Sequence, residues 1–220
     1  MIAAILPPDV AAVSTFGDLS PTRDRGLFPA EAAAVAQAVA RRRAEFTTVR
    51  LCARRAMAEL GLPPAPLLSG KRGAINWPDG VTGSMTHCPG FRAAAIARTE
   101  AIASLGIDAE PNLPLPDGVL EVISLPRERA GLAELSRRRP DVHWDRLLFS
   151  AKESVFKTWY PLTRRELDFT EAELDFDPAG TFSARLLVPG PELAGRRHGA
   201  FSGRWTVGRG FVLTAIALPA

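Results

Sequence analysis

Two carboxylates two residues apart, Asp108 and Glu110, are the first side chains whose spacing suggests chemistry. They end an apolar stretch, Ala101 to Asp108, which predicts a β-strand halted by Pro111. Residues i and i+2 of a strand share one face, so both carboxylates point to the same place. Mg²⁺ would relieve their repulsion, because it binds one or two carboxylates together with water and phosphate. A solvated turn before the proline is the simpler alternative.

A second group of charged side chains consists of Lys152, Glu153 and Lys157. Glu153 and Lys157 are four residues apart in a stretch of helical periodicity and lie away from its apolar stripe. One interpretation is an ordinary i,i+4 ion pair on a solvated face. The other is phosphate chemistry, in which the carboxylate binds a metal and the ammonium groups stabilise developing negative charge. Two of the chain's three lysines lie within these six residues, which favours the second interpretation.

Two further segments carry polar groups whose chemistry the sequence leaves open. His87 ends the segment Gly83-Ser-Met-Thr-His87, and a single histidine without paired zinc ligands is more often structural than catalytic. The loop Gly70-Lys71-Arg72-Gly73 is basic but too short to be a nucleotide-binding P-loop. It could bind a phosphate or form an exposed turn.

The secondary structure that must position these groups is predicted from hydrophobic spacing. Helices are predicted over about Ala30 to Arg43, Glu45 to Leu60, from Pro126 onward, and from an N-cap at Asp145 to Tyr160-Pro161. Strands are predicted over Val81 to Thr86, Phe91 to Ala97, Ala101 to Asp108, Phe182 to Val188, Arg204 to Val207 and Phe211 to Leu218. Helices followed by strands occur twice, so we expect two α+β halves, residues 1–105 and 106–220, rather than one doubly wound sheet.

Composition limits the class of protein. The chain has 220 residues, 46% hydrophobic and 23% charged, which is typical of a globular protein large enough to fold without disulfides. Its net charge of +3 and its clustered arginines favour a local site for an anion. Cys52 and Cys88 have no pairing framework, and no signal peptide or membrane-spanning stretch is recognisable, so a cytoplasmic location is expected.

Together, three segments resemble the larger type of 4'-phosphopantetheinyl transferase, the type that activates surfactin synthetase or forms component D of enterobactin synthase. They are Gly106-Ile-Asp108-Ala-Glu110, Phe149-Ser-Ala-Lys-Glu153 with Lys157, and Gly83-Ser-Met-Thr-His87. Other segments resemble actinobacterial members: Arg41-Arg-Arg-Ala-Glu-Phe-Thr-Thr-Val-Arg50, Trp77-Pro-Asp-Gly80, Val142-His-Trp-Asp-Arg146, Trp159-Tyr-Pro-Leu162 and Arg204-Trp-Thr-Val207. The resemblance extends from about Arg41 to Leu218.

The resemblance implies a pseudo-dimer of two similar α+β subdomains, with coenzyme A bound in the cleft between them. It implies an enzyme that transfers the 4'-phosphopantetheine arm of coenzyme A to a serine of apo acyl or peptidyl carrier proteins and releases 3',5'-ADP. Asp108, Glu110 and Glu153 would bind Mg²⁺ or Mn²⁺. Glu153 would also accept the serine proton, and Lys157 would contact the phosphates.

The same resemblance implies which residues contact coenzyme A: Arg42, Arg50, Gly70, Lys71, Arg72, Thr86, His87, Asp108, Lys152, Glu153 and Lys157. The arginines at 42 and 50 and the histidine would bind the 3'-phosphoadenosine end. The sequence departs from the family at one position, because Ser69 stands where close relatives carry a lysine. Lys71 would then take over that contact.

Two other classes of function compete with the enzyme. An arginine-rich nucleic-acid-binding module would bind in a salt-sensitive manner without metal, but no RNA-binding motif is recognisable. A catalytically silent coenzyme A-binding protein would not need the intact acidic and lysine groups described above. We therefore expect a monomeric enzyme with coenzyme A and carrier proteins as its partners, and neither nucleic acid nor membrane.

Overall fold

We describe the computed structural model of the chain over residues 1–19 and 26–220. The helices in this part of the chain are α1 (Pro29–Ala34), α2 (Ala40–Glu59), α3 (Val119–Ile123), α4 (Pro126–Arg138) and α5 (Trp144–Thr163). The strands are β1 (Ala11–Phe16), β2 (Val81–Cys88), β3 (Phe91–Arg98), β4 (Ile102–Pro111), β5 (Ala172–Asp177), β6 (Thr181–Leu186), β7 (Glu192–Leu193), β8 (Arg196–Arg197), β9 (Ala200–Gly208) and β10 (Phe211–Pro219). Short 3₁₀ turns occur at Ile2–Ile5, Lys71–Gly73 and Phe169–Glu171.

The first sheet is antiparallel and has the strand order β1-β3-β2. Helix α2 packs against β3 and β1. The central strand β3 carries four alanines within Ala93 to Ala97, interrupted only by Ile96, and this run is fully buried. Small side chains on both faces of β3 let α2 and the neighbouring core approach it closely.

The second sheet is also antiparallel, with the order β4-β10-β9-β6-β5. Helix α5 packs on β4 and β10, and its aromatic residues Trp144 and Trp159 are completely buried in the core of this half. A two-stranded ribbon, β7-β8, follows β6.

The two sheets meet where β2 runs alongside β4. Side-chain hydroxyls make the junction: Ser84 Oγ accepts from the backbone N–H of Ile107 at 3.0 Å, and Thr86 Oγ1 from that of Ala109 at 3.2 Å. A shared apolar cluster joins residues of β3, β4 and β10 with the N-terminal turn. The whole of β4 pairs with β10, so this strand crosses residue 105. The division into residues 1–105 and 106–220 stays a prediction.

The predicted α+β class is confirmed, whereas several helix limits are wrong. The helix expected over Ala30 to Arg43 is split, because α1 ends at Ala34 and α2 begins at Ala40. No proline or glycine marks this break, so residue spacing could not reveal it. Asp145 is not the N-cap of α5 but lies in its first turn, where its carboxylate accepts the N–H of Leu115 at 2.7 Å. Pro161 does not end α5, since the helix continues to Thr163.

The predicted strands all exist, with limits displaced by a few residues. The expected Phe182 to Val188 is Thr181–Leu186, and Arg204 to Val207 extends to Ala200–Gly208. Strands β1 and β5, together with the two-residue strands β7 and β8, are not predicted from the sequence. Within the residues described, no helix is both long and apolar enough to span a membrane.

Candidate active site

The acidic pair predicted from the sequence lies on β4, opposite β10. Asp108 is buried, and its Oδ1 accepts from Nζ of Lys157 at 2.7 Å and from Oγ1 of Thr86 at 3.1 Å. Its Oδ2 is also buried and has no hydrogen-bond partner within residues 1–19 and 26–220. A buried carboxylate oxygen without a partner is costly, so the chemistry of this atom suits a bound cation.

Glu110, on the same face of β4, is paired with Arg146, whose Nη1 donates to Oε2 at 3.3 Å. Burial, together with the nearby charge of Asp108, raises the pKa of Glu110 to about 7. Arg146 and Lys157 oppose this rise. Two carboxylates that destabilise each other's charge are suited to sharing a divalent cation.

Glu153 and Lys157 face the acidic pair from α5. Lys157 donates to Asp108 and to the carbonyl of Ile107 at 3.1 Å, so its ammonium is directed to β4 rather than into an i,i+4 pair with Glu153. Burial raises the pKa of Glu153, and the charge of Asp108 raises it further while Lys157 lowers it. The helix therefore brings a basic carboxylate and an ammonium group to the acidic pair.

A glycine allows this approach of α5 to β4. A Cβ atom at Gly106 would lie 2.1 Å from the carbonyl oxygen of Ser154 and 2.4 Å from Oγ1 of Thr158. Hydrogen bonds between hydroxyl groups fix the position of α5 along the neighbouring strand β10. The hydroxyl oxygens of Ser150 and Ser154 lie 3.0 and 2.8 Å from Oγ1 of Thr214. These contacts place Glu153 and Lys157 opposite Asp108.

The residues present fit a divalent metal ion in part. The orphaned Asp108 oxygen, the raised pKa of Glu110 and the raised pKa of Glu153 are all what a cation would relieve. However, in the described ranges 1–19 and 26–220, no three His, Cys, Asp or Glu side chains already stand together as a metal site. Lys157 and Arg146 hold two of the carboxylates instead. The three-ligand set stays a prediction.

Three of the predicted binding groups of the first half line a second cavity. Arg42, Arg50 and His87 line it together with Ser69 and Met85. Arg50 is almost completely buried, stacks on the Phe46 ring and donates from Nε to the carbonyl of Leu67 at 2.9 Å. Its Nη2 is buried without a hydrogen-bond partner in the part of the chain that the structure describes, and burial lowers the pKa of this arginine to about 10 although Glu31, 3.6 Å from its Nε, raises it. The charge of Arg50 is therefore paired, whereas its Nη2 could still donate to an anionic ligand.

The two cavities adjoin. The one next to Glu153 and Lys157 has a volume of about 150 Å³, and the arginine-lined one about 140 Å³. Each alone is smaller than the roughly 300–1,000 Å³ of small-molecule sites, so a ligand as large as a nucleotide would have to span both. Gly73, Ile75 and Met85 line both, so the cavities form one cleft between the halves.

The basic loop lies at this cleft. Arg72 lines the cavity of Glu153 and forms an ion pair with Glu166 of the second half. It has a left-handed backbone, with φ of 56°. Lys71 and Gly70 are exposed on the same loop, but neither lines a described cavity of the cleft. The replacement of the family lysine by Lys71 therefore stays a prediction.

Lys152 is the predicted phosphate contact that the structure places elsewhere. It is buried, and its Nζ donates to Glu128 at 2.9 Å, to the carbonyl of Phe169 at 2.6 Å and to that of Ala172 at 2.8 Å. All three N–H donors of the ammonium are used. The interpretation of Lys152 as a phosphate ligand is therefore wrong, although its stem borders an apolar cavity beside Glu153.

Several residues at the site were missed by the sequence reasoning. Arg146 not only pairs with Glu110 but also donates to the carbonyls of Leu113 and Pro114, which fixes the chain after the acidic pair. Phe156 and Tyr160 line the cleft. Arg146 and Tyr160 lie in two of the segments that resemble actinobacterial family members. That resemblance was the one feature of the sequence that could have indicated their place at the site.

Comparison with known proteins identifies the family. A model described as "4'-phosphopantetheinyl transferase N-terminal domain" matches residues 30–97, and one described as "4'-phosphopantetheinyl transferase superfamily" matches residues 104–214. The chain belongs to this superfamily and is an enzyme of the transferase class. The two matches correspond closely to the two sheets.

Relatives of this transferase match over nearly its whole length. The 4'-phosphopantetheinyl transferase Svp of Streptomyces mobaraensis is 66% identical over 100% of this chain and 90% of its own length. PptT of Mycobacterium tuberculosis is 47% identical, over 99% of this chain and 98% of its own. Npt of Nocardia iowensis is 46% identical, over 99% of both chains. The three carry the same activity name, and all come from actinobacteria, as the sequence resemblance implied.

Proposed function

We propose that this transferase moves the 4'-phosphopantetheine arm of coenzyme A to a serine of apo acyl or peptidyl carrier proteins, with Mg²⁺ or Mn²⁺, and releases 3',5'-ADP. The serine oxygen forms a bond to the β-phosphorus, and the bond from that phosphorus to the 3',5'-ADP oxygen breaks. The observation that supports the proposal most directly is the buried Asp108 oxygen beside Lys157, an oxygen that has no partner among the described residues. Lys157 lines the cleft, and Arg42 and Arg50 line its adjoining cavity.

The 3'-phosphoadenosine end is assigned to the arginine-lined cavity. Arg50 supplies a buried donor that bonds to none of the residues described, and Arg42 and His87 stand across the same cavity. Guanidinium groups suit phosphate because they offer paired donors in a fixed plane. These contacts are remote from the reacting phosphorus, so they serve binding more than rate.

The diphosphate is assigned to the junction of the cavities. Asp108, Glu110 and Glu153 would hold the metal, which supplies positive charge to the diphosphate when bound. Lys157 is close enough to Asp108 to donate to phosphate oxygens in the same place. The chain's own contribution is then largely positioning and charge stabilisation.

The serine proton is assigned to Glu153. A hydroxyl group is a poor nucleophile until its proton has an acceptor. Glu153 borders both the cleft and a neighbouring cavity lined by Phe156, Leu167 and Phe169. We assign the apolar arm of coenzyme A to that neighbouring cavity, which leaves Glu153 at the point where the arm, the phosphorus and the serine meet.

Incubation with coenzyme A, Mg²⁺ and an apo carrier domain tests this function, with the mass of the carrier as the readout. We expect a gain equal to one phosphopantetheine group, and none with a chelator or with Asp108→Ala. A carrier of unchanged mass, with coenzyme A still bound, would indicate a silent binding protein. Salt-sensitive binding of nucleic acid without metal would indicate the other alternative.

We further propose that the enzyme works as a monomer in the cytoplasm, without a nucleic-acid or membrane partner. Cys52 and Cys88 are both free and buried, which fits a reducing compartment. Size-exclusion chromatography with light scattering measures the oligomeric state directly, and a dimer would contradict this part of the proposal.

A further inference from the structure

His87 lies between a guanidinium and a carboxylate, both from α2. Its Nε2 is 2.6 Å from Nη1 of Arg42, and its Nδ1 is 4.0 Å from Oε2 of Glu45. Arginine has donors and no acceptor, and it stays charged at physiological pH. The short contact therefore requires a lone pair on Nε2, which leaves the ring proton on Nδ1, facing Glu45.

This arrangement makes His87 neutral while Arg42 occupies its Nε2. The charged groups that face the ring are Arg42 and Glu45 from α2, Arg92 from β3 and Lys157 from α5. Partial burial holds the pKa of His87 below its usual value, with help from Arg42, whereas Glu45 raises it. The lowered pKa thus agrees with the neutral ring that the contact requires.

A phosphate oxygen cannot simply replace Arg42 at Nε2. Phosphate oxygens accept hydrogen bonds, and a ring nitrogen with a lone pair also only accepts. A phosphate dianion in this cavity therefore needs a proton on Nε2. Moving the ring's own proton there from Nδ1 would turn a lone pair toward the Glu45 carboxylate, so the ring keeps that proton, gains a second one and becomes an imidazolium ion. The new positive charge needs a partner on the other side of the ring.

Glu45 is held where its carboxylate can face the positive charge on His87. It is buried, and its Oε1 accepts from Nε of Arg41 at 3.1 Å and lies 3.5 Å from Nη2 of Arg92. Arg92 is itself held by Asp18, with Nε 2.9 Å from Oδ1. The second oxygen, Oε2, faces His87 and lies 4.0 Å from its Nδ1. Helix α2 and β3 together therefore hold a carboxylate against Nδ1.

We propose that Glu45 is a positioning residue for His87, and that the Glu45–His87 pair takes up one proton from solvent when the 3'-phosphate of coenzyme A binds beside Arg42. The proton adds to Nε2, and no covalent bond breaks. This inference rests on the function proposed above. It makes the pair the element that distinguishes coenzyme A from 3'-dephospho-coenzyme A.

Calorimetric titration in two buffers of different ionisation enthalpy tests the proton uptake. Coenzyme A and 3'-dephospho-coenzyme A are titrated into the wild-type protein without metal, near pH 7.5, about one unit above the usual histidine pKa. We expect net uptake of protons with coenzyme A and none with the dephospho compound. His87→Asn should abolish the uptake.

Glu45→Gln tests the positioning role, with Arg55→Gln as its matched control. Glu45→Gln should remove the proton uptake and weaken the binding of coenzyme A about tenfold, because the imidazolium loses the negative charge that faces it, while the binding of 3'-dephospho-coenzyme A should be unchanged. Arg55 is exposed on the same helix and is not one of the charged groups that face His87, so Arg55→Gln should change the binding of neither ligand. The double variant Glu45→Gln/His87→Asn should bind no more weakly than His87→Asn alone.

The outcomes separate this inference from the proposed function. A wild-type protein that prefers coenzyme A without taking up a proton would overturn the inference, as would a folded Glu45→Gln variant with wild-type preference. If Glu45→Gln does not fold, the exposed His87→Asn variant decides, because retained proton uptake in it would also overturn the inference. Equal wild-type affinity for both compounds would overturn this inference and the placement of the 3'-phosphate, whereas transfer of the arm is judged separately by the mass of the carrier.

Discussion

Glu153 is the carboxylate at which a change of basicity should be most visible in the rate. Burial raises its pKa above that of a free glutamate, with Lys157 opposing and Asp108 adding to the rise, and a bound metal would lower it again, so its proton affinity depends on this balance. Glu153→Gln keeps the shape and removes both charge and basicity, so we expect kcat to fall by about 100-fold or more. Steady-state kinetics with an apo carrier measures it. Glu134→Gln, an exposed change on α4, is the control and should keep the wild-type kcat.

Lys152 makes the opposite prediction, because its neighbours indicate a structural role. Its ammonium is buried against Glu128, and Lys152→Met would leave that carboxylate without its counter-ion. Removing one member of a buried pair costs about 3–5 kcal/mol, so the melting temperature should fall markedly. The KM for coenzyme A, measured well below the melting temperature, should stay near the wild-type value.

A paired substitution separates these two roles of Lys152. Lys152→Met combined with Glu128→Gln removes both charges and should recover part of the lost stability. If the single variant instead showed a large rise in KM for coenzyme A and an unchanged melting temperature, Lys152 would be a binding residue for coenzyme A rather than a structural one.

At the scale of elements, the fit of α5 against β4 decides whether the catalytic groups meet. Gly106→Ala would place a Cβ atom 2.1 Å from the Ser154 carbonyl, so the helix must move away from the strand. Overpacking of this kind costs about 1–3 kcal/mol, and we also expect kcat to fall below the melting temperature because Glu153 and Lys157 shift with the helix. Thermal melts and kinetics on the same preparation measure both effects.

The matched control for that change is another glycine. Gly131 lies within α4, and a Cβ there would meet nothing within 4 Å. Gly131→Ala should stabilise the protein by about 0.5–1 kcal/mol and leave kcat unchanged. If Gly106→Ala behaves like this control, close packing of α5 is not what positions the site.

Helix α5 also illustrates what hydrophobic spacing can predict. The stripe Leu148, Ala151, Val155 and Trp159 was predicted from the sequence, and all four residues are buried. The direction in which the Lys152 side chain points could not be predicted in this way, because its partner Glu128 is 24 residues away on another helix. Spacing along one element predicts which face is apolar, whereas the partner of a polar side chain depends on how elements pack.

The strands missed by the sequence reasoning differ in their signals. Strand β5 has the sequence Ala-Glu-Leu-Asp-Phe-Asp, whose alternation of apolar and acidic residues is typical of a half-buried strand. It could have been predicted. Strand β1, Ala-Ala-Val-Ser-Thr-Phe, lacks clear alternation and exists because β3 offers it an edge. Resemblance to a family assigned more candidate site residues than periodicity did, since it does not depend on pairing at a distance.

At the scale of the whole molecule, the cleft is built from both halves around a shared core. The apolar cluster that contains Ile5, Phe91, Leu105 and Leu213 draws residues from both sheets. Side-chain hydroxyls of β2 bind the backbone of β4 directly beside Asp108. Unfolding one sheet would therefore expose the core of the other, and the two halves should unfold together.

This architecture predicts how coenzyme A affects stability. A ligand at 100 times its Kd stabilises a protein by about 2.7 kcal/mol, which for a chain of this size raises the melting temperature by about 5–10 °C. Because the proposed contacts come from both halves, we expect one cooperative transition that moves as a whole when coenzyme A and Mg²⁺ are added. Arg42→Ala in the first half and Asp108→Ala in the second should each reduce the shift, whereas Arg98→Gln, an exposed change at the end of β3, should not. Calorimetric scans with and without coenzyme A and Mg²⁺ measure the shift in melting temperature. Two separate unfolding transitions, of which only one moves when ligand is added, would contradict a cleft shared by both halves.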